Sequence, residues 1–285
     1  MEQKQWVQPG WLYVCATPIG NLEDITLRVL HTFEQVDFIA CEDTRHTLAL
    51  LNHFSVKKPL VSYHEHNERT SAQKIAERLR AGESCALVSD AGLPGISDPG
   101  AVIVQYCIEE SIPFTVLPGA CAATTALVLS GLENRTFRFL GFLAREGKER
   151  REQFTMLENE KDTCVIYESP LRVSRTLKDL AGRMPQRRVC VARELTKVHE
   201  TLFRATVAEA AEHFDGQTVK GEIVLVIEGG EGEQETHDPG ISPGERLTAL
   251  LAGGCSLKEA AKQLDGVCGM RKNEWYQLGL SMDRE

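Results

Sequence analysis

Short apolar blocks punctuate the first half of the chain. Residues 12–16 (LYVCA), 38–41 (FIAC), 60–63 (LVSY), 84–88 (SCALV) and 114–117 (FTVL) are four or five residues long and bounded by polar, glycine or proline positions. Runs of that length, rich in β-branched and aromatic side chains, predict strands. Between them the spacing becomes helical. Ile25, Val29, Leu30 and Phe33 share one helical face, residues 47–54, 72–79 and 101–108 predict three further helices, and the small-residue stretch 120–129 predicts a fifth. Strands alternating with helices in this way predict a parallel sheet covered on both faces.

Beyond Asn134 the pattern changes. Strands are predicted at 137–143 and 165–167, with a very polar helix at 149–157 between them and a helix at 173–180 after them. A strand at 188–193 with a hairpin partner at 199–204, a helix at 207–214 and a strongly apolar strand at 222–227 complete a second α/β domain with a mixed sheet. GGEGEQE (229–235) has the composition of a linker. Residues 243–282 have the spacing of three short helices with glycine-containing turns at 253–254 and 266–269, and Ser256 followed by Glu259 forms a capping box that opens the second helix. The expected architecture is α/β: a parallel-sheet domain at 1–134, a second α/β domain at 135–230, and a linker with a helix-turn-helix-like module at 231–285.

Composition narrows the class. No apolar run approaches the ~18 residues of a membrane span, and the opening MEQKQWVQPGW lacks the charged-then-apolar pattern of an export signal. Nine cysteines stand singly at 15, 41, 85, 107, 121, 164, 190, 255 and 268, with no Cys-x-x-Cys pair. Together these predict a cytoplasmic protein with reduced cysteines and no thiolate metal site. A net charge of −9 argues against a nucleic-acid partner for the chain as a whole. The charge is uneven, however: residues 1–134 carry 9 basic against 16 acidic side chains, whereas 135–230 carry 17 against 15. The acidic total therefore does not describe the surface of the second domain.

Ligands of parallel α/β sheets sit beyond the carboxyl ends of the strands. The polar and Gly/Pro-rich segments cluster at five successive strand ends: TPIGN (17–21), EDTR (42–45), HEH (64–66), SDAGLPGISDPG (89–100) and PGAC (118–121). They predict a cleft. In the longest of these loops, glycines let the backbone approach a ligand, and Asp90 is the expected acceptor for a ligand amine or hydroxyl. Asp98-Pro99 reads as a helix start, with Asp98 as N-cap and proline in the first turn. Arg45 beside Glu42 and Asp43 reads as a loop-fixing ion pair. Other motifs fail. No Gly-x-Gly-x-x-Gly follows the first strand, and no Gly-x-Ser-x-Gly elbow exists. Residues 141–148 are one residue too long for a phosphate loop, with Glu149 where Ser/Thr is needed. His64-x-His66 lacks a third ligand at suitable spacing, so no metal is expected.

TPIGNLEDIT, EDTRHT, SDAGLPGISDPG, VLPGACAATTAL, ESPLR, RELTKVHE and KGEIVLVIEG resemble, in order, the motif blocks of the tetrapyrrole methylase family, the class III S-adenosylmethionine methyltransferases. The resemblance runs from about Trp11 to Gly230. More narrowly, the blocks resemble the family's RNA branch, which methylates a cytidine ribose 2′-hydroxyl in 16S rRNA. Tetrapyrrole members usually carry Gly-x-Gly-Pro-Gly-Asp after the first strand; Thr17-Pro18-Ile19-Gly20-Asn21 departs from that and favours the RNA branch. The resemblance implies S-adenosylmethionine bound in a cleft between two α/β domains, a homodimer, and 16S rRNA or the 30S subunit as partner. It carries cofactor contacts onto Ile19 and Gly20, onto Asp90, Ala91 and Leu93, onto Cys121 and Ala122, onto Ser169 and Leu171 within residues 167–171, and onto the Lys220-Gly221-Glu222 region.

A ribose hydroxyl needs its proton taken or its oxygen aligned before it attacks a methyl group. His64, Glu168, Lys220 and Glu222 are the leading candidates, with Asp43, Glu194 and His199 also near the expected cleft; each has an alternative role in a salt bridge or cap. Arg145, Lys148, Arg150 and Arg151, together with residues 183–188, offer phosphate contacts in the second domain, and Lys258, Lys262 and Lys272 offer them in the tail. Interspersed glutamates equally fit a solvated charged face. Two alternatives stay open from the sequence: a tetrapyrrole C-methyltransferase, and a non-catalytic S-adenosylmethionine-binding regulator.

Overall fold

The structure is a computed structural model that describes residues 6–230, 242–264 and 270–282. The expected linker positions 231–235 and the turn at 266–269 lie outside the described residues. The chain divides into two compact units, Met1–Gly230 and Glu231–Glu285.

The first unit holds two five-stranded sheets. In the first, β1 (Leu12–Cys15), β2 (Phe38–Cys41), β3 (Leu60–Ser62), β4 (Cys85–Val88) and β5 (Phe114–Leu117) are all parallel, in the order β3-β2-β4-β1-β5. Every residue of β1, β2 and β4 is buried, as expected for central strands covered on both faces. Tyr63, Ile75 and Ile103 pack on one face, and Val29, Phe33 and Leu51 on the other.

The helices that follow these strands are α1 (Leu27–Gln35), α2 (Thr44–His53), α3 (Glu68–Arg80), α4 (Ala101–Glu109) and α5 (Ala122–Ser130). The Thr26 hydroxyl caps α1 by accepting the Val29 N–H, and the Asp43 carboxylate caps α2 by accepting the Arg45 N–H. That cap explains why α2 starts three residues earlier than its apolar positions predict. Asp98, expected to cap α4, does not: the N-cap is Gly100 at φ 150, with no side chain to offer. A side chain at Gly100 would also meet the Gly95 nitrogen at 2.9 Å. The helix therefore begins beyond Pro99, and the Asp98 carboxylate is left for other use.

The second sheet is mixed, in the order β6-β7-β10-β8-β9. It comprises β6 (Phe137–Phe142), β7 (Thr163–Glu168), β8 (Arg188–Arg193), β9 (Thr201–Thr206) and β10 (Ile223–Ile227); β6 and β7 run parallel and the remaining pairs antiparallel. One face is covered by α6 (Gly147–Asn159), α7 (Val173–Ala181) and α8 (Val207–His213) through Phe154, Leu177 and Ala210. The other face is covered by α5. Its Ala123, Ala126 and Leu127 pack on Val165, Cys190, Ala192, Val224 and Val226. The Arg204 guanidinium on β9 reaches back to donate to the carbonyls of Leu129 and Ser130 at the end of α5. A helix that precedes residue 134 thus completes the core of the sheet that follows it.

The second unit contains α9 (Pro243–Ala252), α10 (Leu257–Gln263) and α11 (Lys272–Met282). Leu247, Ala260, Ala261, Leu264 and Trp275 form its core, with Leu250, Leu251, Leu257 and Leu278 packed around them. The expected Ser256–Glu259 capping box is present, and Ser242 with Glu245 makes a second at α9. Leu280, near the end of α11, is exposed.

Candidate functional site

The carboxyl ends of β1, β2 and β4 are bound into one rim by loop-to-loop hydrogen bonds. Thr17 and Gly92 exchange both backbone bonds, at 2.8 and 3.0 Å. The Asp43 N–H donates to the Asp90 carboxylate at 3.1 Å, and the Asp90 N–H in turn donates to Glu42. Asp43 itself pairs with Arg45 at 2.6 Å, which holds its carboxyl far below the usual range.

Facing this rim are one end each of β6, β7 and β10 in the second sheet, and between them lies a cleft of about 300 Å³. From the first side come Ile19, Ala91, Leu93 and Asp98, with Cys121 and Ala122 at the start of α5. From the second come Phe142, Tyr167, Ser169, Glu222 and Val224. The approach depends on absent side chains. Gly141, at φ 60 in the β-bulge of β6, lies so close to the 89–100 loop that a Cβ would stand 2.8 Å from Ser97 Oγ. Gly221, at φ 90, has no room for a Cβ beside the Glu194 carboxylate, and Gly20 has none beside the Lys197 side chain. Glu194 (φ 55) and Thr196 (φ 66) hold left-handed conformations that non-glycine residues adopt at some cost. A set of bonds fixes that turn: Thr196 Oγ1 accepts the Asn21 N–H, while Glu194 accepts the Glu222 N–H and Lys197 Nζ, which also bridges to Glu222 at 3.1 Å. Lys197 holds the Glu194 carboxyl below its ordinary range.

Asp98 is the distinctive group in the cleft. Burial, then the nearby Glu42, Asp90 and Glu222 carboxylates, push its carboxyl up to about 7. No donor among the described residues hydrogen-bonds to it. Burial and Asp90 also raise Glu42. The Tyr167 hydroxyl, raised chiefly by burial, accepts the Ala123 N–H and so ties β7 to α5.

Of the residues expected to contact a cofactor, Ile19, Ala91, Leu93, Cys121, Ala122 and Ser169 line the cleft. Gly20 supports the loop crossing behind it, Asp90 is turned to Asp43, and Leu171 is 92% exposed outside it. Of the proton-transfer candidates, Glu222 alone offers an exposed carboxylate at the cleft. Glu168 is buried and engaged by Arg172 at 2.9 Å, the Thr176 hydroxyl at 2.6 Å and the Ser169 N–H. His64 stands behind the rim with Nδ1 unpaired, and Lys220 is exposed. Arg150 requires correction. Expected as a surface phosphate contact, it is 6% exposed and donates to Asp179, Thr176 and the Ala144 carbonyl. Arg145, Lys148, Arg151, Lys258, Lys262 and Lys272 are exposed. Asp98 and Phe142 were absent from the expected set. The Asp-Pro pair disguised the first as a cap, and no local pattern marks the second as the facing wall.

The lining suits S-adenosylmethionine: apolar walls, backbone left open at Gly92 and Gly221, and carboxylates at Asp98 and Glu222 to face a cation. Among the described residues no group of three His, Cys, Asp or Glu side chains is placed to hold a metal, and no helix is long and apolar enough to cross a membrane.

Comparison with known solved structures agrees with the fold. The cobalamin biosynthetic enzyme cobalt precorrin-4 methyltransferase shares the fold at a TM-score of 0.59 and 18% identity, over 77% of this chain and 95% of that one. Diphthine synthase does so at 0.59 and 13%, over 76% and 90%, and Thermus thermophilus uroporphyrin-III C-methyltransferase complexed with S-adenosylhomocysteine at 0.53 and 18%, over 76% and 96%. In sequence, the chain is 43% identical to a Halalkalibacterium halodurans protein named ribosomal RNA small subunit methyltransferase I, over 94% of both chains. It is 44% identical to the Haemophilus influenzae protein of that name over 95% of this chain and 97% of that one. The Thermotoga maritima protein of the same name is 45% identical and is matched along 100% of its length by 78% of this chain. The family model described as Tetrapyrrole (Corrin/Porphyrin) Methylases matches residues 12–211. With that match over most of its length, the chain belongs to the tetrapyrrole methylase family.

Proposed function

We propose that the protein is an S-adenosylmethionine-dependent methyltransferase acting on the ribose 2′-hydroxyl of a cytidine in 16S rRNA, in the cytoplasm and as a homodimer. The observation that carries this is identity above 40%, along nearly the whole of both chains, to proteins named as small-subunit rRNA methyltransferases. The ribose position rests on the departure of Thr17-Pro18-Ile19-Gly20-Asn21 from the tetrapyrrole pattern and on the chemistry available in the cleft.

When bound, S-adenosylmethionine supplies an electrophilic methyl group on a sulfonium. The chain's part is to bind, align and move a proton. Ile19, Leu93, Cys121 and Val224 provide an apolar bed, and the Tyr167–Ala123 hydrogen bond fixes its far wall. Asp98, which lines the cleft without a donor of its own, is suited to accept the ribose hydroxyl proton as the C–O bond forms. Glu222, held by Lys197, stands at the opposite lip. Glu168, locked to Arg172 and Thr176, positions β7 and takes no proton.

The test is labelled methyl transfer to 30S particles from cells lacking this protein, followed by mass spectrometry of the nucleosides. Ribose-methylated cytidine is expected. A base methyl, or transfer to a porphyrinoid and none to RNA, overturns the assignment. Light scattering should give twice the 31.7 kDa of one chain; a concentration-independent single-chain mass refutes the dimer.

A further inference from the structure

A second recess lies on the far side of β7 from the cleft's aromatic wall. It measures about 250 Å³ and is bounded by the first turns of α6 on one side and by α7 and the turn after it on the other. Its walls carry four arginines, Arg150, Arg151, Arg175 and Arg183, against two acids, Glu146 and Asp179. Such a concentration of guanidinium groups stands out on a chain whose net charge is −9.

The four arginines divide by role. Arg150 is buried, lies over the Phe154 ring at 4.6 Å and is committed to Asp179 and Thr176, so it builds the floor. Arg183 is bridged to Glu158 at 2.9 Å on the rim. Arg151 and Arg175 are exposed and have no hydrogen-bond or ion-pair partner among the described residues. Two unpaired guanidiniums facing one concavity, each with a planar fork of donors, match the oxygens of a phosphate. Glu146 gives no side-chain cap to α6, so the first-turn N–H groups at Gly147 add positive potential to the same opening.

The recess is also wired to the cleft. Arg150 Nη2 donates to Thr176 Oγ1 at 3.2 Å, Thr176 Oγ1 donates to Glu168 Oε2 at 2.6 Å, and Glu168 lies in the cleft lining. A chain anchored in the recess is therefore held by the same rigid element that forms the cleft wall. Resting on the assignment of RNA as substrate, we propose that the recess between α6 and α7 is a docking site for the RNA backbone, in which Arg151 and Arg175 grip a phosphodiester flanking the target nucleotide.

The experiment compares wild type with the Arg151→Ala/Arg175→Ala double variant of the full chain. Both positions are exposed and unpaired on helices, so melting temperature and S-adenosylmethionine affinity should stay unchanged. Binding of a single-stranded 16S rRNA fragment is measured across a salt series. The two arginines share one phosphate, and one lost single-strand phosphate contact flattens the log–log salt slope by about 0.7, so the variant should lose about 0.7. Its KM for 30S particles should rise about tenfold or more with kcat little changed. An unchanged slope and KM overturn the proposal. So does competition by inorganic phosphate at the recess without effect on RNA binding, which identifies a small-anion pocket. The salt slope is read without methyl transfer. Wild type that binds RNA but fails to methylate refutes the assigned reaction and leaves the docking result standing by itself.

Discussion

At the scale of single residues, Asp98 sets stability against chemistry. In the folded chain its carboxyl is pushed up to about 7, whereas in the unfolded chain it ionises near 3.8. Between those values the unfolded chain has released a proton that the folded chain still holds, so the group's contribution to stability falls as pH rises through that window and is flat beyond it. Asp98→Asn stays neutral throughout. Its melting temperature should exceed that of wild type at pH 8 and converge with it near pH 4, as scanning calorimetry would show. The same substitution should lower kcat by about 10²–10⁴-fold, and wild-type kcat/KM should climb with pH up to about 7 and then level. Arg150 makes the opposite case. Arg150→Ala should cost about 1–3 kcal/mol of stability by stranding Asp179 and Thr176, read as a lower denaturation midpoint. Its burial was legible in principle: Arg150, Phe154 and Leu157 share one helical face, and all three are buried. Reading 145–151 as a run of charges concealed that spacing. Asp98 offered no such clue, because an aspartate before proline looks the same whether or not the helix accepts it as a cap.

At the scale of elements, the strands were the plainest part of the sequence. β2 and β8 fall where four- to six-residue runs place them, since burial on both faces leaves little room for polar positions, and the partly buried edge strand β5 matches its apolar run as well. Helix starts were less legible. α3 begins at Glu68, four residues before its first predicted position, on polar residues that no apolar period marks. The bulge at Gly141 was invisible, because one inserted residue in a strand leaves no periodic trace. Its consequence is testable. Gly141→Ala forces a side chain onto φ 60 and against Ser97, a strain of about 1–3 kcal/mol that the 89–100 loop can relieve by moving away from β6. S-adenosylmethionine affinity should therefore fall about tenfold or more by calorimetry, with a smaller effect on melting. The packing of α5 onto the second sheet was also beyond sequence reasoning. Periodicity reports that Ala123, Ala126 and Leu127 are buried, but not which sheet buries them.

At the scale of the whole molecule, the two compact units predict separable roles. About a fifth of this chain has no counterpart in the Thermotoga maritima relative, which is matched along its entire length. Because Met1–Gly230 is a compact unit by itself, a chain ending at Gly230 should melt cooperatively, bind S-adenosylmethionine as wild type does and keep its chemistry. Loss of the exposed Lys258, Lys262 and Lys272 should weaken RNA binding and flatten its salt slope. Undiminished RNA affinity would show the tail to be dispensable for docking, and failure to fold would show it to be part of the core. The placement of α5 has a further consequence, in time. During synthesis α5 is finished at Ser130, but the sheet it covers lacks its central strand until Ile227 is made, about 100 residues later. At about 5–20 residues per second that interval lasts roughly 5–20 s. Throughout it, the nascent chain carries a completed helix whose apolar face has nothing to rest on. A pause in translation between those two points should leave the first sheet folded and α5 bare, a binding site for any chaperone waiting at the tunnel exit.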